Sequence, residues 1–184
     1  MEKVGKVIVK LRIPILIISF LLLIPAGLGY VYTRVNYDIL YYLPGDIETM
    51  KGQDILLDEF GKGAYATVVV QGMDSKDEAK LEDKIKNVDH VTDIVSYNSF
   101  VGNTVPTELI PEKYRSIFQN KESGCTMFVI FFDDTTSSDE TMNAIGELRE
   151  LARGQCFISG MSAVVTDTKK ITQQETLAYV VIAC

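Results

Sequence analysis

The residues best able to do chemistry are scattered along the sequence and form no catalytic pattern. The acidic pairs are Asp58-Glu59, Glu82-Asp83 and Asp133-Asp134. We expect the first two pairs on solvated faces of amphipathic helices and the third at the end of a central strand. Ligands often bind at such strand ends, but a solvated strand end before a capped helix is the simpler interpretation.

Three further groups match known sites only in part. Ser159-Gly160-Met161-Ser162 lacks the GxSxG spacing of a nucleophile turn, and Gly61-Lys62-Gly63 is too short for a phosphate loop. His90 is the only histidine, and the sequence identifies no partner for it. We therefore predict no catalytic, cofactor-binding or metal-binding residues and no enzyme activity, and the sequence does not identify substrate-binding residues.

The cysteines also fail to indicate a metal site. Cys125 and Cys156 each lie at the start of a predicted strand, and Cys184 lies in the last apolar segment. The sequence has no CxxC or Cys/His spacing of the kind that binds zinc. A Cys125–Cys156 disulfide, which an oxidising compartment would permit, stays open at this point.

The charge is segregated around one long apolar stretch. Residues 1–12 carry a net charge of +3, residues 13–32 carry none, and residues 36–175 carry 13 basic and 24 acidic side chains. Twenty helical residues span about 30 Å, the thickness of a bilayer's hydrocarbon core. Basic residues before a first membrane helix stay in the cytoplasm. We therefore predict a cytoplasmic tail at 1–12, transmembrane helix 1 at 13–33 and an extracytoplasmic region at 36–175, in the plasma membrane.

The charge also constrains the partners and the role of this helix. An acidic domain repels phosphate, which argues against nucleic acid. The helix has no ionisable residue between Ile13 and Thr33, so it offers no proton-relay group. A cleaved signal peptide is the main alternative, although its apolar region is usually only about 7–15 residues long.

The outer region alternates between helical and strand patterns. The predicted elements are an extended segment at 36–44, a helix ending at Phe60, strands at 64–72, 91–97, 126–133 and 155–160, helices opening at Ser75 and Ser137, a short helix at 111–118 and a polar helix at 166–175. Ser75-x-x-Glu78 and Ser137-x-x-Glu140 fit capping boxes. Asp46 or Thr49 suits the start of the first helix, and Gly61 suits its end.

The element order predicts an α+β fold of the ferredoxin-like (split βαβ) type, with strand order 4-1-3-2. Strand 1 would then separate Cys125 from Cys156 by about 10 Å, beyond the roughly 7 Å that a disulfide bridges. We therefore expect two free, partly buried thiols. The predicted segments are a lead-in at 34–63, the ferredoxin-like domain at 64–165, a connecting helix at 166–175 and the truncated start of transmembrane helix 2 at 176–184.

Three segments resemble the first part of an RND-superfamily transporter, and most of all its MMPL branch. Val35-Asn36-Tyr37-Asp38 with Leu43-Pro44 is similar to the segment after helix 1. Leu56 to Gly61 is similar to the L-x-x-x-F-G before the first porter strand, and Gly160 to Asp167 to the G-x-x-A-x-x-x-D entry to helix 2. The resemblance implies the N-terminal part of a multi-pass exporter, driven by the proton-motive force, for lipids or hydrophobic compounds.

The resemblance also implies partners. These are the lipid bilayer, the remaining membrane helices and the second porter domain of the same transporter, and a hydrophobic or lipid substrate. The family's proton-relay residues lie in later helices, so none is assigned here. Two alternatives stay open: a non-transporting membrane regulator of the cell-division permease type, and a membrane-anchored binding domain.

Overall fold

The computed structural model describes residues 9–33, 35–37, 40–97, 99, 111–120, 122–152, 154 and 156–183. Most of the predicted basic tail, Arg34, Asp38 and Cys184 lie outside the described residues. The chain divides into two compact units, one ending at Asn36 and one beginning at Tyr37.

The described part of the first unit is dominated by helix α1 (Arg12–Tyr32), which continues through Pro25. At its end, the Thr33 backbone N–H and hydroxyl both donate to the Gly29 carbonyl, at 2.9 and 2.7 Å. Within the described residues, this is the one helix long and apolar enough to cross a membrane; a signal sequence would meet the same criterion.

The second unit begins with a short lead-in. The segment predicted to be extended contains a 3₁₀ turn at Leu40–Tyr42, and helix α2 spans Glu48–Phe60. The N-cap of α2 is Ile47, so the choice of Asp46 or Thr49 was wrong. Gly61 ends the helix in the left-handed region (φ 61°), where a residue without Cβ is not strained, as predicted.

Five strands form one antiparallel sheet in the described part of the chain. They are β1 (Ala64–Gln71), β2 (Val91–Val95), β3 (Gln119–Asn120), β4 (Cys125–Phe132) and β5 (Cys156–Ser159). The order is β2-β4-β1-β5, with the short β3 pairing with β4. Apart from β3, which was not predicted, the strands follow the expected 4-1-3-2 order.

The described residues of this unit form four further helices: α3 (Ser75–Lys86), α4 (Glu112–Phe118), α5 (Asp139–Leu151) and α6 (Met161–Ala183). α3 and α5 bury their apolar sides on one face of the sheet. The core contains Ala64, Ala66, Val68 and Val70 of β1, Ile94 of β2, Phe128, Ile130 and Phe132 of β4, Leu81 and Ile85 of α3, and Ala144, Ile145 and Leu148 of α5. The alternation along β1 and β4 places every second side chain in this core.

The predicted helix starts need correction. α5 is capped by Ser138, whose hydroxyl accepts a hydrogen bond from the Thr141 N–H at 3.0 Å, and not by Ser137. The N-cap of α3 is Asp74 rather than Ser75, and its side chain makes no capping bond. Pro111 is the N-cap of α4, which begins at Glu112, so the predicted first helical position at Pro111 was one residue too early.

The last helix begins earlier than expected. α6 starts at Met161, directly after β5, and not at Thr166. It then runs as one helix through the predicted connecting segment into the apolar residues that end at Ala183.

Candidate functional site

The sheet has a second face, opposite α3 and α5, which we call the open face. Its side chains are partly or fully exposed and come from four strands: Tyr65, Thr67 and Val69 of β1, Val95 of β2, Met127, Val129 and Phe131 of β4, and Phe157 of β5. Val129 pairs with Thr67 on one side and with Val95 on the other. Val69 pairs with Met127 and with Phe157. These residues therefore form one continuous and mostly apolar surface across the sheet, with polar groups at Thr67, Gln71 and Asp93.

The composition of this face is unusual for a sheet that faces water. An antiparallel strand with one solvated face alternates apolar and polar residues, whereas a strand covered on both faces is apolar throughout. β4 reads CTMFVIFF, with Met127, Val129 and Phe131 on the open face between the core residues. The open face is therefore the strongest candidate for an interaction surface in this domain.

A charged pair lies on this face, at the end of the sheet where β1 and β2 begin. Lys62 Nζ donates to Asp93 Oδ2 at 2.9 Å and lies 4.7 Å from the centre of the Phe131 ring. The Lys62 hydrogen bond lowers the pKa of Asp93, against the opposing effect of partial burial. The Lys62–Asp93 pair therefore lies at the edge of the apolar surface, and its two opposite charges offset each other.

His90 has a partner that the sequence did not reveal. Its Nδ1 lies 3.1 and 3.2 Å from the two carboxylate oxygens of Asp133, and its carbonyl accepts from the Asp133 N–H at 3.2 Å. His90 adopts a left-handed backbone (φ 68°) to make both contacts. The two side chains are 41% and 44% exposed, so the pair is a surface link between the start of β2 and the end of β4.

Glu82 is buried, so its predicted place on a solvated helix face is wrong. Its carboxylate accepts from the Ser96 hydroxyl at 3.1 Å and from Lys86 Nζ at 2.9 Å. This bond raises the pKa of Lys86. Ser96 directly follows β2, so its bond to Glu82 ties the end of β2 to α3. The Ser99 hydroxyl extends this network, since it lies 3.2 Å from the Ser96 hydroxyl and donates to the Ile94 carbonyl at 3.0 Å.

The other residue groups that the sequence singled out have structural roles or lie at the surface. The Ser162 hydroxyl donates to the Tyr65 carbonyl at 2.9 Å, which leaves its donor occupied. A Cβ on Gly63 would overlap the Asp134 carbonyl, which explains a glycine at this close approach. Asp58 and Glu59 are exposed on α2. The described residues contain no cluster of His, Cys, Asp and Glu able to hold a metal ion.

The two described cysteines are free, as predicted. Cys125 pairs with Gln71 on the open face, and Cys156 pairs with Val70 on the core face. They therefore lie on opposite faces of the sheet with β1 between them. Burial raises the pKa of the Cys156 thiol.

No protein-family model matches the chain, and no curated protein matches it.

Helix α6 is the second candidate functional element, because one half is packed on the domain and the other is exposed. Ser162, Ala163 and Val165 are buried in the first half. Two ion pairs to α5, Arg149–Asp167 and Lys169–Asp139, both at 2.8 Å, hold the same half. The residues after Lys170 are mostly exposed, and the helix continues unbroken into Leu177–Ala183. One continuous helix thus joins the domain to an apolar segment.

Proposed function

We propose that this chain is the N-terminal part of an RND-type membrane exporter, closest to the MMPL branch, and that residues 64–165 form its first porter domain. In this proposal α1 anchors the chain with its N-terminus in the cytoplasm, and the α+β unit lies outside. The substrate is a lipid or another hydrophobic compound, and the proton-motive force drives its export.

The sheet supports the ferredoxin-like assignment within this proposal. Its 4-1-3-2 order and antiparallel pairing, with α3 and α5 packed on one face, agree with the split βαβ arrangement. The open face supports a further part of the proposal. It is apolar enough to pack against a second porter domain and to line the outer part of a substrate path with it.

The observation that carries the proposal is the continuity of α6. A transporter that works by rocking one repeat against another must transmit motion between its membrane helices and its outer domain. Buried residues and two ion pairs fix α6 to the domain, and between Met161 and the apolar end it has neither proline nor glycine. A flexible tether would not transmit motion, whereas such a helix would.

Insertions in α6 of the complete transporter test this coupling. A flexible seven-residue Gly-Ser segment placed after Thr172 should abolish export, because it uncouples the domain from the membrane. The matched control is an alanine-rich insertion of equal length, which continues the helix and nearly restores its phase because seven residues are about two turns. We expect the control to retain measurable export of a fluorescent hydrophobic compound.

Protein levels and membrane insertion should be equal in the two insertion variants. Export that is unchanged in the Gly-Ser variant would contradict the proposed coupling through α6.

A further inference from the structure

We propose that Leu40–Pro44, here called the tyrosine turn, lies in the headgroup layer of the bilayer that α1 crosses. This inference rests on the membrane-spanning role of α1 in the proposed function. It assigns a further membrane contact to the chain, made by a segment that the sequence predicted to be extended.

The distribution of aromatic residues is the first observation. Five of the nine tyrosines lie between Tyr30 and Tyr42, and Tyr179 lies in the apolar end of α6. The chain has no tryptophan, and no phenylalanine lies between Leu21 and Glu59. Tyrosine is enriched at membrane–water boundaries because its ring is apolar and its hydroxyl is polar. The tyrosines therefore concentrate where a membrane boundary would be.

The shape of the turn is the second observation. Tyr41 and Tyr42 are 72% and 73% exposed, and their rings meet edge to face with centroids 5.8 Å apart. The Leu43 N–H donates to the Leu40 carbonyl at 3.0 Å, which fixes the turn. No residue of the 3₁₀ turn is buried. The fold thus presents two adjacent aromatic rings to the surroundings instead of packing them.

Charge and chain length agree with a lipid partner. No charged residue lies between Leu40 and Gly45, so entry into the headgroup layer desolvates no charge. Seven residues separate Tyr32 from Leu40 in the sequence. The adjoining α2 has one lysine and four acidic residues. This acidic neighbour favours a zwitterionic over an anionic bilayer.

Single-tryptophan variants of the full chain test the inference, since the natural chain contributes no tryptophan signal. The variants are Tyr42→Trp in the turn, Tyr30→Trp near the end of α1, and Phe157→Trp on the sheet, where the native ring is 66% exposed. Each is reconstituted into phosphatidylcholine vesicles that contain a lipid quencher at headgroup depth or deep in the acyl chains. Aqueous iodide measures access from water, and circular dichroism confirms the fold.

The expected result is that the headgroup-depth quencher removes at least half of the Tyr42→Trp emission. It should remove little from Phe157→Trp, while Tyr30→Trp is quenched by lipid and protected from iodide. If lipid quenchers did not reduce the emission of Tyr42→Trp, the inference would be overturned. This holds both when iodide quenches the emission, which would place the residue in water, and when iodide does not, which would place it against protein. Equal quenching of Phe157→Trp would also overturn the inference, because it would mean that the whole domain adsorbs non-specifically to the vesicles. Loss of quenching in Tyr30→Trp would instead overturn the membrane role of α1, and this inference with it.

Discussion

The two faces of the sheet are built from the same kinds of residue but have different surroundings. On the core face, Val68, Phe128 and Ile130 are fully buried beneath α3 and α5. On the open face, Val69, Met127 and Val129 are similar in size and polarity and remain partly exposed. The core face shows what the fold needs for its own stability. The open face shows apolar surface beyond that need, which points to function.

Substitution of one aromatic residue on each face should give the largest difference. Phe128→Ala should lower the free energy of unfolding by about 3–5 kcal/mol, because it removes a buried ring and leaves a cavity. Phe131→Ala, on the same strand, should cost much less because its ring is partly exposed. Urea unfolding of the full chain in detergent micelles measures both. Similar losses for the two variants would show that the open face is also part of the core.

The buried first turns of α6 should be the region next most sensitive to substitution. Ala163→Leu should cost about 1–3 kcal/mol, because Ala163 is buried and the larger side chain overpacks the site. Val164→Leu is the matched control, since the adjacent side chain is exposed and can grow without a clash. The same unfolding experiment compares them. A neutral Ala163→Leu would mean that α6 can leave the sheet easily, contrary to rigid coupling.

The N-cap of α5, one of the two helices that cover the core face, should be the third most sensitive position. Ser138→Ala should cost about 1 kcal/mol, because the Thr141 N–H loses its side-chain acceptor. Ser137→Ala leaves the Ser138 acceptor in place, so it should not cause this loss of capping. Thermal unfolding of the two variants decides between the capping position in the structure and the one predicted from the sequence. A larger effect at Ser137 would favour the sequence pattern.

The Lys62–Asp93 pair on the open face should have the smallest effect. The pKa of Asp93 is lower in the folded state than in the unfolded chain, so the pair adds stability at a pH above the usual aspartate pKa of about 4. This stability is lost as the pH falls through the folded-state pKa of Asp93. Since both side chains are partly exposed, the contribution is below about 1 kcal/mol.

Unfolding measured at pH 7 and in acid, for the natural chain and Asp93→Asn, should show a smaller pH dependence in the variant. Asp54→Asn, on the exposed side of α2, is the control. If Asp93→Asn left the pH dependence unchanged, the Lys62–Asp93 pair would not contribute to the stability of the domain.

Local pattern and element order predicted most of the fold, because they follow from side-chain period and connectivity. The strand order, the free cysteines and the glycine end of α2 all have such local or topological causes. The cap of α5 was misplaced by one residue because Ser137 and Ser138 both suit a cap. The choice between them depends on the preceding turn, where the Thr135 N–H donates to Asp134 and the Ser138 N–H donates to the Thr135 carbonyl.

Contacts between distant residues were beyond the sequence pattern. His90 and Asp133 are 43 residues apart and meet only because β2 pairs with β4. The sequence pattern places Glu82 on the surface of a helix, but in the structure it is buried and accepts a hydrogen bond from Ser96, which follows β2. The open face was also missed, since apolar alternate residues in β4 could equally belong to a sheet buried on both sides. The direction of helix packing is needed to decide between the two.

The length of α6 has a mechanical consequence. Its 23 residues span about 35 Å, and its first turns are clamped to the sheet and to α5. A helix held at one end acts as a lever arm. A rotation of the sheet by only about 5° would displace the far end of such an arm by about 3 Å, more than half of one helical turn. A small rotation of the sheet would thus become a displacement of several ångström at Ala183.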